Sequence, residues 1–236
     1  MLPQPKDITL TRLNARFGTA PAEAALAVAL DRYEGQIALV SSFGAEAAVL
    51  LHMLSRIDAG IPVLLLDTQL LFPETLSYQL HLTGHLGLKD VRRITPVETQ
   101  DPDRSLHLTD TRTCCQLRKV EPLERVLRGF DAVITGRKRF QTRERQKMER
   151  FEHHNGRVRI NPLADWTASQ IAWYFDTHDL PKHPLVAKNY LSIGCAPCTT
   201  KVAQGEAARS GRWRGQNREE CGIHFGADGT LKRTTG

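Results

Sequence analysis

Five cysteines occur in the 236-residue chain, and their spacing is the first feature that could do chemistry. Cys114 and Cys115 are adjacent, Cys195-Ala-Pro-Cys198 forms a Cys-x-x-Cys turn, and Cys221 stands alone near the C-terminus. A Cys-x-x-Cys turn aims two thiolates at one centre, which suits a metal. Adjacent side chains diverge, so Cys114 and Cys115 can hardly both complete the small tetrahedron around one zinc ion. A cluster of several irons gives each thiolate its own corner, and four cysteines are the usual complement of a 4Fe–4S cluster. A zinc site and two unrelated buried thiol pairs stay open as alternatives.

Three further features point to an anionic ligand. Lys119 follows Cys115 by four residues, which on a helix puts its ammonium on the face of that thiol; an exposed helix lysine is the plainer alternative. Cys114-Cys115 falls at an expected helix start, where free N–H groups and the positive end of the dipole favour thiolates. The segment from Gly136 to Arg150 carries seven positive and two negative side chains and is either a solvated helix face or a surface for nucleic acid or a phosphorylated small molecule. Cys221 lies in Arg218-Glu-Glu-Cys-Gly-Ile-His224, a polar tail poorly suited to a core. Arg209, Arg212, Arg218 and His224 are cations that could lower its pKa and make it a nucleophile; an inert exposed thiol is the alternative.

Apolar bursts alternating with helical patterns must position these groups. Ile37–Val40, Val63–Leu66, Val91–Thr95 and Ala132–Thr135 read as parallel strands of a doubly wound α/β sheet buried on both faces. Helices are expected at Ala22–Tyr33, Ala45–Ile57, Pro73–Gly84 and Thr113–Arg128, the last broken or kinked at Pro122. Ligands bind outside the carboxyl ends of such strands, so Ser41–Glu46, Asp67–Leu70 and Gly136–Gln141 should converge on one cleft. Asn155-Gly156 predicts a tight hairpin between Phe151–His154 and Arg157–Ile160, and Thr167-Ala-Ser-Gln170 a capping box opening a helix to Thr177. From Asp179 onward prolines and glycines predict irregular structure. The expected division is a ligand-binding α/β domain over residues 1–194 and a mobile C-terminal segment over 195–236 that holds two metal ligands and the lone cysteine.

Composition narrows the class. With 41% apolar residues the chain can build a packed core. No run approaches the about 20 apolar residues of a membrane span, and the N-terminus lacks the order of a signal peptide, so a cytoplasmic protein without a membrane partner is expected. A reducing cytosol argues against structural disulfides. A zinc-stabilised nucleic-acid module using the basic run would leave Cys221 and the doubly wound pattern without a role, so no nucleic-acid partner is expected.

With these residues in hand, the chain resembles the thioredoxin-dependent adenylyl-sulfate and phosphoadenylyl-sulfate reductases, and among them the cluster-bearing adenylyl-sulfate branch. The resemblance rests on Ser41-Ser-Phe-Gly-Ala-Glu46, Leu66-Asp-Thr68, Cys114-Cys-x-x-x-Lys119 with Cys195-Ala-Pro-Cys198, and Glu220-Cys-Gly-Ile-His224. It implies an adenine-nucleotide α-hydrolase fold of Rossmann-like type and one 4Fe–4S cluster on Cys114, Cys115, Cys195 and Cys198. It implies substrate contacts at Ser41, Ser42, Phe43, Gly44, Glu46, Asp67, Thr68, Gly136, Arg137, Lys138 and Arg139, and catalytic roles for Cys221, Lys119, His224, Arg209 and Arg212. The implied reaction is reduction of adenylyl sulfate to sulfite and AMP through an S-sulfocysteine on Cys221, with thioredoxin as partner and a homo-oligomer as assembly, in sulfate assimilation and cysteine biosynthesis. Reduction of the 3′-phosphorylated nucleotide, or of both, is the nearest rival; the four cluster cysteines favour the unphosphorylated form. Two departures stand out. Gln69-Leu70 follows Asp67-Thr68 where the family often has Gly-Arg, and the Ser41 loop lacks the Ser-Gly-Gly-x-Asp-Ser form of related pyrophosphatases, which counts against ATP cleavage.

Overall fold

Val63-Leu-Leu-Leu66 is apolar on both faces, and such a strand is stable only where both sides of its sheet are covered. The structure, a computed structural model, describes residues 9–216 and residue 220 and meets that requirement. In chain order its elements are α1 (Leu10–Phe17), α2 (Ala22–Arg32), β1 (Ile37–Ser41), α3 (Ala47–Asp58), β2 (Val63–Leu66), α4 (Pro73–His85), β3 (Val91–Ile94), α5 (Leu106–Thr109), α6 (Thr111–Cys115), α7 (Glu121–Leu127), β4 (Ala132–Thr135), β5 (Phe151–His154), β6 (Arg157–Ile160) and α8 (Ala168–Thr177).

One six-stranded sheet, ordered β3-β2-β1-β4-β6-β5, is parallel except for the β5–β6 hairpin. Successive residues of a strand point to opposite faces. Ile37, Leu39, Val63, Leu65, Ala132 and Ile134 accordingly join one core with residues of α1 to α4 and α8, while Ala38, Leu64, Leu66 and Val133 join a second core under Leu123 and Leu127 of α7. The edge strand β3 is half-exposed and carries Arg92 and Arg93 at its centre, charges that discourage pairing with another chain. The hairpin adds two strands to the same sheet, which the sequence pattern alone did not foretell. Its turn residues Asn155 and Gly156 have φ of 49° and 74°, the expected positive pair.

The helical run after Thr111 departs most from expectation. It begins two residues early because the Asp110 carboxylate accepts from the N–H groups of Arg112 and Thr113, both at 3.0 Å. Cys114 N–H already bonds Asp110 O at 2.9 Å, so the free N–H donors expected around the cysteine pair are taken. Between Gln116 and Val120 the run widens to a π turn, with Glu121 N–H reaching Gln116 O. Pro122 lacks an N–H and its ring would collide with the carbonyl four residues back in a continued α-helix. The wider turn absorbs that conflict upstream of the proline, at Arg118 and Lys119, both buried. The Thr167 capping box forms as read, with Gln170 N–H on Thr167 Oγ1 at 3.2 Å and Thr167 N–H on Gln170 Oε1 at 2.8 Å.

A buried histidine ties α4 to the irregular segment leading to Cys195. His183 Nδ1 accepts from Leu185 N–H at 3.1 Å, which leaves the proton on Nε2 to donate to Thr75 Oγ1, also at 3.1 Å. Only 1% of His183 is exposed, and burial pushes its pKa down to about 4. The folded protein therefore refuses a proton that the unfolded chain accepts near pH 6.5. Stability should be full above that pH and fall as pH drops toward 4, by about 2 kcal/mol between pH 7 and 5. Urea unfolding at the two pH values tests this, since His183→Gln should flatten the difference; an equal drop in both proteins would refute it.

Candidate functional site

The chain leaves β1 to place β2 and β3 on one side and later returns to place β4 on the other, so the loops after β1 and β4 diverge at their carboxyl ends. A cavity of about 380 Å³ opens there. The loop from Ser41 to Glu46 forms one wall. Phe43, fully buried, takes a left-handed φ of 46° and donates its N–H to Ser41 Oγ at 3.2 Å. That conformation is uncommon without glycine, and burial of the ring holds it in place. Gly44 approaches the C-terminal segment so closely that a Cβ there would stand 3.2 Å from Ile193 O. Helix α3 then starts without a side-chain cap, its Ala47 N–H taken by Gly44 O at 3.1 Å, and Gly44 through Ala47 line the cavity, so the positive end of the helix faces the space an anion would occupy.

Charge decides what the cavity accepts. Lys119, Arg137, Lys138, Arg145, Arg209 and Arg212 line it against only Glu46 and Glu220. Lys138 bonds Glu46 at 2.7 Å, and Gln141 donates to the same carboxylate at 3.1 Å. Burial lowers the Lys138 pKa, and Glu46 opposes that shift. Arg137 pairs with Glu152 and donates Nε to Thr135 Oγ1 at 3.3 Å; its pKa too is lowered by burial. Arg159 shares Glu152 and is pushed down to about 9 by burial, then by Arg137. The Arg212 guanidinium stacks on Trp213 at 4.3 Å, and its buried Nε has no hydrogen-bond partner among the described residues. Cations thus outnumber carboxylates in a partly desolvated space, the setting in which a small oxyanion binds most strongly.

A second, small cleft adjoins the first. Cys114, Cys115, Cys195 and Cys198 line it together with Thr68 and Lys119, and all four cysteines are buried and free of disulfides. The loop after β2 lies between the two pairs: Leu71 bridges Cys195 and Ala196 N–H donates to Leu70 O at 2.7 Å, while Arg118, three residues after Cys115, donates to Thr68 O at 3.0 Å. The Cys114 thiol is pushed up to about 12 by burial and then by Cys115 and Cys195. Cys198 is raised by burial and by Cys195. Burial would also raise Cys195, but the Lys119 ammonium, the Thr68 hydroxyl at 3.2 Å and Arg212 outweigh it and hold this thiol below its ordinary value. Four converging thiols, of which Cys114 and Cys198 resist ionisation, suit a cationic group whose charge would relieve that resistance. Among the described residues no three His, Cys, Asp or Glu side chains are grouped to share a single metal ion. Four thiols around one cleft are the donor set that an iron–sulfur cluster takes.

The residues singled out in the sequence fall into three sets. Ser41, Ser42, Gly44, Glu46, Thr68, Lys119, Gly136, Arg137, Lys138, Arg209 and Arg212 line the large cavity. Phe43, Asp67 and Arg139 do not: Phe43 is core, Asp67 pairs with Arg93 at 2.5 Å, and Arg139 pairs with Asp165 and donates to Met148 O at 2.8 Å. Cys221 and His224 lie outside the described residues. Gln141 lines the cavity as the expected convergence of Gly136–Gln141 requires, whereas sequence reasoning missed Arg145, Trp213 and Glu220 as cavity residues. Arg145 stood within the basic run and Glu220 beside Cys221, but nothing in their spacing separated them from neighbours. The run itself is no continuous solvated stripe, since Arg137, Lys138, Arg139, Arg145 and Arg150 each pair with a carboxylate.

The chain has relatives among known proteins. Residues 36–201 match the phosphoadenosine phosphosulfate reductase domain. The chain is 47% identical over 231 residues to an adenosine 5′-phosphosulfate reductase of Chelativorans sp. (strain BNC1), covering 94% of each. It is 49% identical over 218 residues to the protein of that name from Mesorhizobium japonicum, covering 90% of this chain and 86% of the relative. The solved structure of a phosphoadenylyl-sulfate reductase from Candida auris, as a phosphate complex, superposes with a TM-score of 0.70 at 24% identity, over 82% of this chain and 96% of that one, a likeness of fold.

Gly194 supplies a test of the cavity's charge. A Cβ there would overlap the Arg212 guanidinium, the far end of a flexible side chain, so the protein should fold normally while Arg212 is pushed aside. Gly194→Ala is expected to keep its thermal midpoint and to bind inorganic phosphate about tenfold more weakly. Calorimetric titration reads this directly, and unchanged affinity would show that Arg212 does not serve the anion.

Proposed function

The chain belongs to the phosphoadenosine phosphosulfate reductase family, and on that premise we propose that it reduces adenylyl sulfate to sulfite and AMP at the large cavity. One observation carries the reading: Thr68, Lys119 and Cys195 line both the cation-rich cavity and the cleft of four thiols. An anion held in the first is thereby held against the second.

The N-terminal end of α3, the Ser42 hydroxyl, Lys119 and the tail arginines Arg209 and Arg212 would receive the phosphosulfate. They stabilise negative charge that grows on the bridging oxygen as the sulfur–oxygen bond breaks, a preorganised arrangement that needs little rearrangement during reaction. The Cys221 thiolate attacks the sulfate sulfur, the sulfur–oxygen bond breaks, and AMP leaves with the electron pair. Cys221 then carries an S-sulfonate. A thioredoxin thiolate attacks the Cys221 sulfur and releases sulfite, and the second thioredoxin thiol resolves the mixed disulfide, so the dithiol supplies the two electrons. Cys221 must serve a nucleotide and then a protein, which requires movement of the segment that bears it. A 4Fe–4S cluster held by Cys114, Cys115, Cys195 and Cys198 would, when bound, supply a cross-link between α6 and the C-terminal segment and a local field, without passing electrons. The cytosol and a homo-oligomeric assembly complete the proposal, on the strength of the family resemblance.

Lys119→Ala should retain iron and inorganic sulfide, measured on anaerobically purified protein, and should form S-sulfocysteine about 100-fold more slowly in a single turnover. A wild-type rate would sink the assigned role of Lys119. The ratio of kcat/KM for adenylyl sulfate over its 3′-phosphorylated form is expected to lie well above one, and a ratio below one would reverse the substrate assignment.

A further inference from the structure

Asn161 is fully buried and does not line the cavity, yet it holds a side chain that does. It follows Ile160 at the carboxyl end of β6, and because Ile134 of β4 pairs with Ile160, Thr135 and Asn161 emerge side by side. The Thr135 hydroxyl donates to Asn161 Oδ1 at 2.7 Å, and the same oxygen accepts from Arg137 Nε at 3.3 Å and Nη2 at 3.2 Å. On the other side of the amide, Asn161 Nδ2 donates to Glu149 O at 2.9 Å and to Glu152 Oε1 at 3.2 Å. A flipped amide would set N–H groups against a guanidinium and oxygen against oxygen, so the network fixes one orientation. Arg137 Nη2 pairs with Glu152 as well, and Nε with Thr135. Nη1 is left without a partner among the described residues.

We propose that Asn161 is a positioning residue for the substrate's oxyanion: it seats Nε and Nη2 of Arg137 and leaves Nη1 to donate to a phosphate or sulfate oxygen in the cavity that Arg137 lines. The inference rests on the reading of that cavity as a nucleotide site. A neutral amide suits the task. It accepts from the guanidinium without cancelling its charge, whereas a carboxylate in its place would hold Arg137 as firmly and neutralise it. Glu152 contributes one negative charge, but Arg159 shares it at 3.5 Å, so two guanidiniums face one carboxylate and an excess of positive charge stays for an anion to meet. An arginine fixed before the ligand arrives loses little rotamer freedom on binding. Asn161 acts on the ligand only through Arg137.

The test measures AMP and adenosine affinity by calorimetry on the full-length, anaerobically purified protein, together with KM for adenylyl sulfate. Asn161→Ala is expected to weaken AMP binding about tenfold with adenosine unchanged, and Arg137→Gln about 30-fold. The double variant should bind AMP no more weakly than Arg137→Gln alone, because one residue acts through the other. Thr135→Val has the same shape and lacks the hydroxyl that fixes Asn161 Oδ1. It keeps the test readable should Asn161→Ala fail to fold, its expected loss of AMP affinity vanishing in the Arg137→Gln background. Weakened AMP assigns Nη1 to the phosphate, whereas a raised KM with AMP affinity unchanged assigns it to the sulfate, and either supports the proposal. Adenosine weakened as much as AMP, additive losses in the double variant, or wild-type values in every variant overturn it. The binding measurements need no turnover, so a protein that holds AMP through Arg137 and Asn161 but reduces no sulfonucleotide refutes the proposed function while supporting this inference.

Discussion

An excess of positive over negative side chains, among the described residues at the carboxyl ends of the parallel strands, is the constraint on which the rest of the molecule depends. Burying a guanidinium or ammonium is unfavourable unless it is paired, and here Glu46, Glu152 and Glu220 are shared among more cations than they can neutralise. The sheet makes the arrangement tolerable. Two apolar layers, one on each face, provide the stabilisation that allows a charged cavity to persist at the strand ends.

The same economy governs the thiols. Cys195 and Cys198 reach Cys114 and Cys115 because an irregular segment is stitched to the loop after β2 by the Leu71 bridge and by the Ala196 bond to Leu70. Arg118 fastens the opposite side, donating to the Asp101 carboxylate at 2.7 Å and to Thr68 O at 3.0 Å from a buried position. The π turn places Arg118 and Lys119 side by side with different tasks, the first holding the loop and the second facing the cavity. A regular helix through Pro122 could not present both without a backbone clash.

Periodicity made the central strands, most helices and the two capping or turn motifs legible, because apolar alternation and residues tolerating positive φ leave local marks. The cysteine set was legible through spacing alone. Other features required tertiary context. The register that adds β5 and β6 to the main sheet depends on pairing between Ala132 and Val158, residues with nothing distinctive about them. Arg139 looked no different from Arg137 in the basic run, yet Asp165 draws it out of the cavity. Arg145 and Glu220, 75 positions apart, identify each other only once the chain has folded.

Gly44 lies against the carbonyl of Ile193, and the loop after β2 is hydrogen-bonded to the turn bearing Cys195. Two loops far apart along the chain are therefore both fitted to the backbone of the 193–196 strip. Anyone recombining relatives of this protein faces an indivisible cassette: the β1 loop, the β2 loop and the 193–196 strip have to be exchanged together, because a chimera that swaps either loop mismatches the strip, and one that swaps the strip mismatches both loops.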